Sequence, residues 1–321
     1  MEHDLTLIPY SASYQKEWDQ LISDSRNGTF LLKRGFMDYH SDRFRDCSIM
    51  FQKKGKTIAC FPANYSEGDS TVYSHQGLTY GGLILHPEAS AIQVLEMFDL
   101  VKAHYSQNFG ATRVVYKCIP HVYHRYPCEE DLYGLFVNQA KLQSRGLSSA
   151  IDLTHPIPYN RNRMRMLRKA EESGLRCYTT SEEQEVRDYW LLLNDVLTSR
   201  HGVRPVHSAD EMLLLMRRFP EQIQQYICRT PEGELVGGAW VFLCNGTVHV
   251  QYGSTSDTGK VLGALDFLYR HLQESYKDKF HYMEFGISTE NGGKYLNTNL
   301  IHSKESFGGR GICYDIYEIV F

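Results

Sequence analysis

Apolar positions along the chain recur with two periods, and the change from one to the other divides it into elements. Leu265, Leu268, Leu272 and Tyr276 are spaced three and four residues apart, the stripe of an amphipathic helix. Before that stripe the period is two. Gln224 to Arg229 reads as a strand, followed by a turn at Thr230-Pro231-Glu232-Gly233-Glu234. Leu235 to Leu243 is a second strand, Asn245-Gly246 a hairpin signal, and Thr247 to Tyr252 an alternating third strand. His281 to Ile287 follows the helix as a fourth.

The first half has the same order. Ser48 to Gln52 and Thr57 to Ala63 are strands joined by the turn Lys53-Lys54-Gly55-Lys56. Glu67-Gly68-Asp69 turns into a strand from Thr71 to Ser74. Val94, Phe98, Val101 and Tyr105 make a helical stripe, and Thr112 to Ile119 is the strand after it. Each half therefore reads strand, strand, strand, helix, strand, preceded by helices carrying Trp18, Leu21 and Ile22 in one half and Val186, Tyr189 and Leu193 in the other. Met212, Leu215 and Met216 mark a further helix between the breakers Pro205 and Pro220. A helix from Glu129 to about Arg145, with Leu132, Phe136 and Leu142 inward, is expected to join the halves. The pattern predicts an α+β chain of two domains, 1–150 and 151–321, each a mixed, mostly antiparallel sheet flanked by helices.

Composition narrows the class little. The chain has 321 residues, 42% apolar and 22% charged, enough for two cores and unlike a disordered or fibrous protein. Lys plus Arg number 34 against 38 Asp plus Glu, a formal charge of −4, so there is no global basic excess of a nucleic-acid binder. The acidic start Met1-Glu2-His3-Asp4 lacks a targeting pattern, and the longest apolar run, Leu235 to Leu243, is interrupted by two glycines. Eight scattered cysteines without a Cys-x-x-Cys read as reduced thiols, and a cytoplasmic protein is expected. Cys118, His121, His124 and Cys128 are spaced loosely, with Pro120 and Pro127 between them, so no metal is expected.

Five segments carry candidate chemistry. Arg161 to Lys169 holds five cations in nine residues, either a phosphate or RNA contact or the solvated face of a helix. Thr198 to Pro205 places Arg200, His201 and Arg204 beyond a helix end, fit to grip an anion or to neutralise that end. Ser256 to Ala264 brings Gly259, Lys260 and Gly263 to a helix start, where backbone N–H groups can meet a pyrophosphate. Glu284 lies in a strand that should be central; half-desolvated, it would serve as a base toward an amine, or pair with an arginine such as Arg200. Lys304 falls in what reads as a turn before the last strand, where its cation could face a developing oxyanion. No nucleophile elbow, Walker loop or His-Glu-x-x-His is present.

With these segments in order, the chain resembles the GNAT acyltransferase fold in tandem, as in the FemABX group of aminoacyl-tRNA-dependent transferases and their acyltransferase relatives. The resemblance spans nearly the whole chain. It rests on Thr29 to Lys33, on Arg163 to Gly174, on Thr198 to Pro205, on Val250-Gln251-Tyr252-Gly253-Ser254, on Tyr282 to Gly286, and on Lys304-Glu305-x-Phe307-Gly308. It implies that Lys33, Arg200, Arg204 and Tyr252 hold an acceptor, a small molecule or a nucleotide-sugar, and that Lys304 steadies the acyl oxygen. Acyl-CoA is the implied donor, with Gly259, Lys260 and Gly263 against it; charged tRNA is the alternative donor. A fold that binds without turnover is the third reading. His302-Ser303 replaces the aromatic part of the family segment, and Gly259-x-x-x-Gly263-Ala264 departs from the usual CoA loop spacing.

Overall fold

The computed structural model describes residues 5–321; Met1 to Asp4, the acidic start, and the side chain of His201 lie outside the described residues. The chain forms two compact units. The first comprises 1–147, 289–295 and 313–321, and the second 148–288 and 296–312. Residues 289–321 are thus divided between the two units.

In the first unit, β1 (Thr6–Pro9), β2 (Ile49–Lys53) and β3 (Lys56–Phe61) pair antiparallel. Helix α1 (Gln15–Asp24) buries Trp18, Leu21 and Ile22, the predicted stripe, and Trp18 Nε1 donates to the carbonyl of Leu32 at 2.8 Å. A second group holds β4 (Asn64–Ser66), β5 (Thr71–Tyr73) and β6 (Arg113–Lys117). Here β4 and β5 are antiparallel and β5 and β6 parallel. The connection from β5 to β6 includes α2 (Ala91–Phe109), started by a capping box between Ser90 and Gln93 and stopped by Gly110 at φ 61°. Its Val94, Phe98 and Tyr105 close the core over Phe61, Val114 and Tyr116. Each such side chain contributes about 1.5–3 kcal/mol by leaving water.

The expected helix from 129 to 145 is wrong beyond its first two turns. Helix α3 is Glu130–Val137, and Lys141–Asp152 is a strand, β7. Asn138 caps the helix by donating to the Gly134 carbonyl, and Gln139 at φ 54° reverses the chain. The helical spacing of Leu132, Phe136 and Leu142 does not mark an inward face: Phe136 is 78% exposed, and α3 buries Asp131, Gly134 and Leu135 instead. Gly134 lies on the Phe98 ring, where a Cβ would be 2.3 Å from it, so the inward face has no room for a side chain at this position.

The second unit repeats the order. After α4 (Arg161–Glu172) come β8 (Arg176–Thr180), α5 (Glu183–His201), α6 (Ala209–Arg218), β9 (Ile223–Arg229), β10 (Leu235–Cys244) and β11 (Thr247–Thr255). Then α7 (Asp257–Leu262), α8 (Ala264–Tyr276), β12 (Tyr282–Ile287) and α9 (Thr298–Ser306) follow. The last strand, β13, is Arg310–Val320. Strands β8 to β11 are antiparallel neighbours, β11 and β12 are parallel, and β12 pairs antiparallel with the end of β7. In both units the one parallel pair among these strands spans the crossover helix, as a strand–helix–strand connection demands. Leu268 and Leu272 of α8 pack on Val241, Val248 and Met283. Lys304 is in helix α9, not the expected turn. Asn297 caps that helix through the Leu300 N–H, and the turn comes later, at Gly308 with φ 93°.

Candidate active site

Strands β11 and β12 are paired only over Thr247–Tyr282, Val248–Met283 and His249–Glu284. Past that point they part. Strand β11 runs on to Thr255 with β10 along one side, while β12 bends at Gly286, φ 73°. The register of β12 on β7 slips at the same place, between Glu284 and Ile287, which makes a bulge. From Val250 onward no strand among the described residues of this unit is paired with the side of β11 turned to β12, and the two strands form a wedge.

The apex of that wedge is polar. Glu284 is fully buried. Its Oε1 accepts the Gly286 N–H at 2.7 Å and touches Ser148 Oγ, and its Oε2 meets His249 Nδ1. Ser148 Oγ also lies 2.5 Å from the Gly286 carbonyl; with one proton it donates to only one of the two at a time. His249 Nε2 is 3.1 Å from Gln251 Oε1. A carboxylate on Nδ1 fixes the imidazole's orientation and leaves Nε2 as the atom that takes or gives a proton. The Gln251 amide can meet Nε2 in either state, with its oxygen or with its NH2 group.

Lys304 grips the same bend from the other side. Its Nζ donates to the carbonyls of Gly286 at 2.6 Å and Ile287 at 3.2 Å, and to Ser288 Oγ at 2.8 Å. Burial pushes its pKa down to about 8, with Glu284 pulling the other way. The two residues expected to act chemically, Glu284 and Lys304, therefore converge on one stretch, 286–288.

The other expected residues are placed differently. Arg200 pairs with Asp257, so it is not the partner of Glu284. Arg204 is exposed. The Tyr252 hydroxyl accepts the N–H groups of Val206 and His207 and lies 2.9 Å from His207 Nδ1, and its ring stacks on Trp240. It thus holds the 203–207 loop. Gly259 and Gly263 each meet protein backbone: a Cβ there would be 2.0 Å from the Val236 carbonyl oxygen and 2.4 Å from that of Met166. Lys260 is exposed beside them. Lys33, in the first unit, is half-buried at the start of the short helix Arg34–Met37. His249, Ser148 and Gln251 were not singled out from the sequence. His249 and Gln251 alternate on one face of the predicted strand, but nothing in the sequence shows that Glu284 is opposite.

On α4, Arg163 bonds Ser303 and Ser306 and stands over the Phe307 ring, while Met164 and Leu167 pack inward. Arg161, Arg165, Arg168 and Lys169 are exposed and have no ion-pair partner among the described residues. Among the described residues no cluster of three or more metal-ligating side chains occurs, and no helix is long and apolar enough to cross a membrane.

The sequence pattern of the GNAT acetyltransferase domain family matches residues 159–295, which include β11, β12, His249 and Glu284 but neither Ser148 nor Lys304. No protein with a curated description matches the chain in sequence. Among solved structures it is similar to FemX, at 10% identity over 98% of this chain and 97% of that one, with a TM-score of 0.70. It is also similar to the C-terminal domain of a protein assigned as a lysylphosphatidylglycerol synthetase from Agrobacterium fabrum. That match has 12% identity, covers 97% and 93% of the two chains, and has a TM-score of 0.61. L-PGS from Bacillus licheniformis gives 10% identity, 96% and 91%, and 0.60. At such identities the likeness is one of fold. The chain thus has the fold of FemX over nearly its whole length, and its residues 159–295 match the GNAT acetyltransferase domain pattern.

Proposed function

We propose that the chain is an N-acyltransferase, moving an acyl or aminoacyl group from a thioester or ester to a primary amine. The observation that carries this reading is the Glu284–His249 pair at the point where β11 and β12 part. The open edge of β11 offers peptide groups to a donor with amides along an extended arm, as acyl-CoA has. The donor's carbonyl then lies toward the apex. The amine nitrogen attacks that carbon, the C–S or C–O bond breaks, and the amine proton passes to His249 Nε2. His249 returns a proton to the leaving group. Glu284 acts through His249, holding Nδ1–H and the imidazole's orientation, and is a positioning residue in this reading. Lys304 holds the 286–288 bend; to steady the acyl oxygen it must exchange one of its three present acceptors. Orientation of two reactants and proton transfer supply the rate, without a covalent enzyme intermediate.

Acyl-CoA is the donor this arrangement fits, with Lys260 beside the phosphates. Its pyrophosphate does not find Gly259 or Gly263 open, because both are packed on backbone. The four unpaired cations of α4 favour a second donor, aminoacyl-tRNA, through its phosphates. The acceptor proposed is an amino sugar, a nucleotide-sugar or a similar envelope precursor. The test is product mass spectrometry with a panel of acyl-CoAs and charged tRNAs against amine acceptors. Turnover with one donor class, lost in His249→Gln, supports the reading. If no donor turns over, and neither donor class raises the melting temperature, the fold is a binding module and the reading fails.

A further inference from the structure

Helix α3 has two faces. Toward the core of the first unit it presents Asp131, Gly134 and Leu135, all buried. Toward solvent it presents Leu132, Tyr133, Phe136 and Val137, which are 36%, 58%, 78% and 48% exposed. At about 100° per residue these four fall within about 140° of the helix circumference, side by side. A single exposed leucine is ordinary, but a contiguous apolar face with aromatic rings in it marks a contact surface.

The area open on this face suits one half of a small protein interface. An aromatic side chain has about 200 Å² to bury, so Tyr133 and Phe136 leave roughly 270 Å² in water. Leu132 and Val137 add about 80 Å². Covering the face once in each of two copies removes about 700 Å² of apolar surface. Apolar area is about 60% of an interface, so the whole contact comes to about 1,200 Å², where specific protein pairs begin.

Charge decides how two copies meet. The start of α3 is acidic: Glu129 is exposed, next to Glu130, which pairs with Arg26. Lys141, also exposed, follows the end of the helix. Two such helices laid in the same direction set Glu129 against Glu129, like charge on like. Laid antiparallel, each Glu129 comes level with the far end of the other helix and the lysine beyond it. A face complementary to itself in this way is what a two-fold contact requires. A bilayer with anionic lipid would instead be repelled by the acids. We infer that α3 is the contact of a two-fold dimer of this chain, lying antiparallel on α3 of a second copy so that Tyr133 stands level with Phe136 of the partner subunit. The contact involves the first unit alone and needs no acyl transfer.

The test is sedimentation equilibrium on the full chain from about 1 to 200 µM in about 50 mM salt, where surface charges are only partly screened. The weight-average mass is expected to rise from one chain to two, with a dissociation constant of about 1–100 µM for an interface at the lower end of size. Phe136→Asp, at an exposed position, should keep the melting temperature and weaken the dimer at least about tenfold. Glu129→Lys should weaken it severalfold, and Glu129→Lys combined with Lys141→Glu should restore it. A chain that stays single at every concentration overturns the inference, as does a dimer that Phe136→Asp leaves unchanged or that the charge reversal fails to rescue. A single chain that sediments with phosphatidylglycerol vesicles, and no longer does so as Phe136→Asp, gives the face to a lipid surface and overturns the inference too.

Discussion

Glu284→Gln tests the site at its centre. The carboxylate is fully buried and accepts from three groups, the Gly286 N–H, the Ser148 hydroxyl and His249 Nδ1–H. The amide keeps the shape but has one acceptor oxygen and one NH2 group. If the oxygen stays with Gly286, the NH2 faces His249 Nδ1, donor against donor. The imidazole then moves its proton to Nε2, and the atom proposed to take the amine proton is blocked. A hydrogen bond to a charged group contributes about 1.5–3 kcal/mol against about 0.5–1.5 for a neutral one. Three bonds weakened by about 1 kcal/mol each, less the relief of burying a neutral group, leave a net loss of about 1–3 kcal/mol. In a domain of this size that is a fall in melting temperature of roughly 2–4 °C per kcal/mol. The rate should fall by about 10²–10⁴, the usual worth of a general base. Nitrogen-15 NMR of the imidazole reads the tautomer directly, with His249→Gln to assign the signal. Nδ1–H is expected in the wild type and Nε2–H in the variant. An unchanged tautomer together with a rate within about threefold of wild type would refute the argument.

Three further outcomes follow from the same geometry. Lys304→Met removes three donated bonds and should destabilise by about 3 kcal/mol. The wild type also binds its Lys304 proton more weakly folded than unfolded, so its stability should rise with pH from about 8 toward 10.5. Urea midpoints across that range check this, and a variant with the same pH slope as wild type would contradict the assignment. Gly259→Ala should cost about 1–3 kcal/mol with or without a donor, since its Cβ would be 2.0 Å from the Val236 oxygen; an unchanged melt with weaker acyl-CoA binding would instead restore a phosphate role. Arg161→Glu with Arg168→Glu should cut tRNA affinity and lower the log–log salt slope by roughly one per lost phosphate contact, measured by filter binding. An unchanged slope would remove the aminoacyl-tRNA reading.

The elements themselves were legible because local spacing carries their signal. The stripe Leu265, Leu268, Leu272 and Tyr276 predicts α8, and Asn245-Gly246 predicts the β10–β11 hairpin, where Asn245 takes φ 51°. Glu284 and Lys304 could be named, since charged residues in a strand and a Gly-rich approach are visible locally. Where the spacing misled, tertiary contact had overruled it. Leu142 continues a helical period but belongs to β7, and Phe136 continues one toward solvent. What joins Glu284 to His249 is a parallel register across 35 residues, and what places Lys304 on Gly286 is a helix packed 18 residues later. Side-chain period is a property of consecutive residues, so the chain alone determined the strands, the helices and their repeated order. Which faces meet depends on register and on a bulge at Gly286. Only the folded sheet could decide that His249 stands at the apex, that Tyr252 is tied to a loop, and that Gly259 is packed against backbone.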